Sequence, residues 1–103
     1  MEPIQPGAVA TAVAKLQNKP VFIHLEVNPG AYWRNGQAAL RSLHLKGEDP
    51  YRVFLELDEG HGLIQVNDVT HMELSDSMVI LTGYDDKGRI AQTVEISLSP
   101  LTL

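Results

Sequence analysis

The side chains in this sequence that could carry chemistry near neutral pH are its four histidines and the carboxylates close to them. Two histidines recur in a His-x-Glu spacing: His24 with Glu26 inside "VFIHLEV" (21–27), and His71 with Glu73 inside "VTHMEL" (69–74). On an extended strand, residues i and i+2 project from the same face about 7 Å apart. His44 and Glu56 each fall on the polar phase of their own alternating segment, so His24, Glu26, His44 and Glu56 form the candidate ligand or metal set. Imidazole with carboxylate suits zinc, manganese or iron, or a general base oriented by an acid. The competing reading is that all four lie on the wet side of an antiparallel sheet, where a cross-strand His–carboxylate contact adds under about 1 kcal/mol. His-x-Glu on a strand is far less specific than His-Glu-x-x-His on a helix.

Catalysis is the weaker of the chemical readings. There is no cysteine, which removes thiolate chemistry, disulfides and cysteine-held zinc together, and no Gly-x-Ser-x-Gly marks a nucleophile. "DEGHG" (58–62) lacks the oxygen spacing of a calcium loop and reads as a hairpin turn. "DDKG" (85–88) lacks the glycines and helix entry of a phosphate loop. The remaining cluster, Tyr32, Trp33 and Arg34, stands beside Asn35-Gly36, the strongest short hairpin signal in the chain. Trp, Tyr and Arg anchor interfaces, so a hairpin tip carrying them is a candidate interaction surface.

These groups must be positioned by short elements. Pro6 suits a first helical turn, and Val9, Ala12, Val13 and Leu16 follow at the spacing of one apolar stripe, giving a helix over 6–18 that Asn18 and Pro20 end. From Pro20 the period becomes two. Val21, Ile23, Leu25 and Val27 sort to one side, with Phe22, His24 and Glu26 on the other. "NPG" (28–30) is a turn. "AALRSLHL" (38–45) is ambiguous, because Leu40 and Leu43 would share a helical face while Leu43-His44-Leu45-Lys46 alternates; strand is the choice. "YRVFLELDE" (51–59) alternates cleanly, and "LIQV" (63–66), "VTHMEL" (69–74), "MVILTGY" (78–84) and "RIAQTVEISLS" (89–99) supply further strands. One domain over 1–103 follows: a mainly β fold, with one N-terminal helix and a small antiparallel meander barrel of about six to eight strands over 20–99.

"KPVFIHLE", "AYWRN", "LKGEDPYRVFLELDEG" and "LTGYDDKGRIAQTVEIS" together resemble the YojF-like family of small bacterial proteins of unknown function, over most of the chain. The resemblance implies a closed or nearly closed β-barrel with an N-terminal helix, and it implies no activity. By association it also implies an accessory role beside a zinc-dependent sugar deacetylase of low-molecular-weight thiol synthesis. The sequence departs from the family between "HLE" and "RN", where it is shorter by roughly one hairpin.

Bulk properties narrow the partners. The net charge is −5, with 13 acidic residues spread along the chain against 8 Lys and Arg, a field that repels phosphate backbones. "MEPIQPG" is acidic where a signal peptide would be basic, and no run approaches the roughly 20 apolar residues that span a bilayer. The expectation is a cytoplasmic, non-enzymatic binding or accessory protein without nucleic-acid or membrane partners. It would associate with itself or with a protein partner. No cofactor is expected; the alternative is a barrel holding a small ligand or divalent metal on the His/Glu set.

Overall fold

A computed structural model describes residues 1–102; Leu103, the last residue of the expected domain, lies outside them. Eight antiparallel strands form one curled half-barrel: β1 (Glu2–Pro3), β2 (Pro20–Val27), β3 (Ala31–Lys46), β4 (Tyr51–Leu57), β5 (Leu63–Val69), β6 (His71–Leu74), β7 (Met78–Tyr84) and β8 (Ile90–Ser97). Their order in the sheet is β1-β6-β7-β8-β2-β3-β4-β5. The chain itself draws the two ends of that order together. β5, at one end, passes through the single residue Thr70 into β6, next to the other end. Thr70 then bonds in both directions: its N–H donates to Thr82 O (2.9 Å) and its carbonyl accepts from Ile4 N–H (3.0 Å).

β2 and β4 to β8 form where the two-residue period leads one to expect them, because each buries branched side chains on the core side; β1 is an unexpected two-residue strand with both residues exposed. Val21, Ile23, Val53, Leu55, Val79, Leu81, Val94 and Ile96 make up much of the core. α1 (Pro6–Ala14) packs on it through Val9, Ala12 and Val13. The helix is shorter than the expected 6–18. Beyond Ala14 the chain tightens into a turn that keeps Leu16 buried, and Asn18 takes φ 61° and ends it.

The expected hairpin tip at Asn35-Gly36 does not exist. The chain turns at 28–30, and Asn35-Gly36 lies inside the 16-residue β3. There it makes a β-bulge: Ile23 faces Gly36 and Leu25 faces Trp33, so two residues of β3 oppose His24 alone. The local chemistry that marks a hairpin serves the bulge equally well, since Asn35 takes φ 58°. A Cβ on Gly36 would overlap the indole of Trp33. A second bulge lies further along the same strand. Leu40 faces Leu57 and Ser42 faces Glu56, leaving Arg41 as the extra residue.

A third bulge, on β5, holds the curl shut. Tyr51 faces Val69 and Val53 faces Val66, and Asp68 takes φ 58°. The Asp68 carbonyl lies where a Cβ on Gly83 would be, and it accepts a 2.7 Å bond from Gln92 Nε2. Gly83→Ala forces this contact apart, and overpacking of this kind costs about 1–3 kcal/mol. Urea denaturation of the variant should show a loss in that range. An unchanged midpoint would mean that β5 does not rest on β7.

Candidate functional site

The four residues grouped from the sequence occupy two separate places. His24 and Glu26 sit on β2 opposite the first half of β3, whereas His44 and Glu56 sit on the second half of β3 and on β4. About eight strand residues at about 3.3 Å each separate the two pairs along β3. No group of three or more His, Asp or Glu side chains able to hold a metal occurs among the described residues.

His24 lies on the polar side of β2, as the alternation requires, yet it is only 3% exposed. Its Nδ1 accepts the backbone N–H of Asn35 at 3.0 Å, the donor that the first bulge leaves unpaired. Nδ1 therefore carries no proton, and the neutral ring must hold its proton on Nε2. That nitrogen faces Ser97 Oγ at 3.4 Å and Glu95 at 4.0 Å, and Ser97 Oγ donates in turn to Ser99 O at 2.7 Å. The Asn35 side chain clasps the C-terminal segment from both sides, donating to Leu101 O (2.9 Å) and accepting from Leu101 N–H (2.8 Å). His24 is thus a packed support for the bulge and the tail. Nothing in the residues around His24 signals its burial.

Glu26 belongs to a second support. It accepts from Arg34 Nη2 (3.2 Å) and Asn28 Nδ2 (2.7 Å), and Asn28 also donates to Ile90 O. Tyr32 donates to Asn28 Oδ1 at 3.0 Å while the Arg34 guanidinium lies 5.2 Å from the Tyr32 ring centre. Tyr32 and Trp33 remain 60% and 44% exposed, and Val27 beside them 53%. The second His-x-Glu forms no site with the others: His71 meets the edge of Tyr84 and bonds Thr70, and Glu73 is exposed.

Burial holds the His24 pKa below its ordinary 6.5; Glu95 works against this and Arg34 with it. The fold prefers the neutral ring, so the unfolded chain binds the extra proton first. The contribution is complete above pH 6.5 and is lost as pH falls below it through the depressed folded-state value. Denaturation midpoints measured between about pH 7.5 and 5 should decline more steeply for the native chain than for His24→Gln. The variant should be the less stable of the two at neutral pH. Parallel slopes would show that His24 is not held neutral.

The open groove is elsewhere, on the outer face of β3 and β4. Lys46 opposite Arg52 and His44 opposite Phe54 line its floor in order, and Glu56, whose cross-strand partner is Ser42, follows them. Arg41 enters from the second bulge, and the 58–63 connection, with Leu57 and a 62% exposed Leu63, forms an apolar lip around a volume of about 900 Å³. His44 Nε2 meets Glu56 Oε1 at 2.6 Å, and Ser42 Oγ lies 3.0 Å from the same nitrogen and 3.2 Å from the same oxygen. The bonds from His44 and Ser42 are the main cause that holds the Glu56 carboxyl below its usual range. A serine, a histidine and a glutamate in contact suggest acyl transfer, but the geometry opposes it. A relay needs nucleophile and acid on different ring nitrogens, and here both meet Nε2.

Of the four residues grouped from the sequence, His44 and Glu56 come together here, beside Lys46, Arg52 and Phe54, which sequence reasoning does not single out. The alternation 42-44-46 and 52-54-56 puts these residues and Ser42 on one face once the strands pair in this register; Arg41 joins them through the bulge, which the alternation does not signal.

A family model described as "Protein of unknown function (DUF1806)" matches residues 3–101. The uncharacterized protein YojF of Bacillus subtilis (strain 168) is 27% identical over 110 aligned residues, covering 92% of this chain and 93% of that protein. The crystal structure of Bacillus subtilis YojF superposes with a TM-score of 0.85 at 29% identity, over 99% of this chain and 97% of that one. The fold that the resemblance implied is therefore present, as a curled half-barrel of eight strands with one helix. The chain belongs to the DUF1806 family, the family of YojF.

Proposed function

We propose that this protein works by binding rather than by catalysis, in the cytoplasm, and that the β3–β4 groove is its working surface. One observation carries the reading. A concave outer face combines an aromatic floor at Phe54, an apolar lip at Leu57 and Leu63, and polar groups fixed in place at His44 and Glu56, the latter also held by Ser42. Such a face resembles a small-molecule site, which is mostly apolar with a few placed polar groups. A ligand-observed NMR screen of a fragment library should yield hits that lose binding in Phe54→Ala and Leu63→Glu while the backbone spectrum stays folded. Hits that persist in both variants would place binding elsewhere.

A second reading rests on Val27, Tyr32 and Trp33, whose exposure makes the β2–β3 end a candidate contact surface for a protein partner or a second copy of the chain. The partner that the YojF-like resemblance implies is a zinc-dependent sugar deacetylase. Co-purification with that enzyme, lost in Tyr32→Ser, is the expected result. A monomer that recovers no partner at physiological salt counts against it.

A further inference from the structure

The groove holds charges that the fold leaves unused. Lys46 and Arg52 are direct cross-strand partners on its floor. Like charges placed opposite each other weaken strand pairing. Arg41 enters the same groove from the bulge. Among the described residues, the ion pairs involve Lys15, Arg34 and Arg89 together with three histidines; Arg41, Lys46 and Arg52 enter none. Carboxylates are not scarce, since the chain has 13 acidic residues against 8 Lys and Arg. The one carboxylate of the groove, Glu56, is already held by His44 and Ser42. Three unpaired cations therefore share one concavity in a chain of net charge −5.

Their order along the strands sets the shape of what fits. The Lys46–Arg52 pair comes first, the Phe54 ring is one step along, and Ser42–Glu56 is one step further. Successive same-face positions are about 7 Å apart, so an anionic group at the cationic end and a flat body on the ring belong to one small molecule. A guanidinium donates paired N–H bonds to a phosphate or carboxylate, and a lysine beside it adds a point charge. A volume of about 900 Å³ is in the range of small-ligand pockets. A long polyanion would meet the overall field of a chain of net charge −5.

Resting on the reading of the groove as the working surface, we propose that its ligand is a small organic anion. The anionic group is a phosphate or carboxylate held by Lys46 and Arg52, carried on a ring or other flat apolar body that lies on Phe54.

The test is a titration of the isotope-labelled full chain, followed by backbone amide shifts at low salt, with phenyl phosphate, phenylacetate, inorganic phosphate and benzyl alcohol as separate probes. Phenyl phosphate or phenylacetate should move the amides of Lys46, Arg52 and Phe54 saturably, and whichever binds tighter names the anion. Inorganic phosphate should bind more weakly for want of the ring. Lys46→Gln and Arg52→Gln, both at exposed positions, should each weaken binding by about tenfold. Lys19→Gln, outside the groove, should change nothing. Benzyl alcohol binding as tightly as the charged probes would overturn the anion class and leave the groove reading standing. If no probe moves these amides, both fall. A single-stranded oligonucleotide that binds the groove more tightly than phenyl phosphate, with affinity falling steeply in salt, would overturn the small-ligand assignment.

Discussion

The bulge at Leu40–Arg41 is the constraint on which the rest of the structure depends. β3 pairs with β2 through its first half and with β4 through its second, and each neighbour needs an apolar row on the core side. Strict alternation from the buried Leu40 would turn Ser42, His44 and Lys46 inward and Leu43 and Leu45 outward. One extra residue reverses the phase. Leu43 and Leu45 then pack against the core while Arg41, Ser42, His44 and Lys46 emerge on the outside. Exposing two leucines would forfeit about 1.5–3 kcal/mol each, and burying an unpaired lysine charge would cost more again, so the register with the bulge wins by a wide margin. The carbonyls that the bulge frees are satisfied from the end of the helical segment: Asn18 N–H donates to Leu40 O at 2.9 Å and Gln17 Nε2 to Arg41 O at 2.8 Å. The short N-terminal helix and its turn are thus tied to the groove from behind.

The same bulge explains what could and could not be read from the sequence. β4 alternates without interruption and was legible, as was the stripe Val9, Ala12, Val13, Leu16, whereas β7 opens on a continuous apolar run at 78–81 and β8 carries a bulge at Ala91, between the pairs Gly83–Gln92 and Tyr84–Ile90. Leu40 and Leu43 suggested a helix because their spacing is three. In the structure that spacing is the mark of the bulge, two inward positions separated by one residue too many. Asn35-Gly36 suggested a hairpin for a related reason: the left-handed backbone that closes a two-residue turn also makes a bulge, and local sequence does not distinguish the two. The stretch after Glu26 holds the turn at 28–30, and the sheet of the described residues has eight strands.

His24 shows the complementary failure. Its face on β2 was legible and its burial was not, because the groups that enclose it come from far along the chain. Asn35 reaches it across the bulge, and Ser97, Ser99 and Leu101 arrive from the C-terminal end. A two-residue rhythm assigns sides and says nothing about a tail that folds back over one of them. The polar row of "VFIHLEV" is therefore neither a catalytic line nor a wet face. It is a set of fastenings, with His24 and Glu26 each consumed by backbone and side-chain partners of the fold.

That contrast separates the two histidine–carboxylate pairs of the molecule. At His24 both ring nitrogens are committed, one to the Asn35 N–H and the other toward Ser97 and Glu95, and the ring is sealed from water. Changing its protonation would disturb the bulge and the tail before it reached any ligand. At His44 the partners among the described residues are Ser42 and Glu56, the pair stands at the surface of a groove, and Arg41, Lys46 and Arg52 nearby enter no ion pair, Arg41 acting on Glu56 through its field alone. A fold that needed these charges for its own stability would have paired them, and opposing Lys46 to Arg52 weakens the strand contact that it crosses. Groups held in place at a stability cost, outside the core and beside an aromatic floor, are the ones whose arrangement a ligand explains and packing does not.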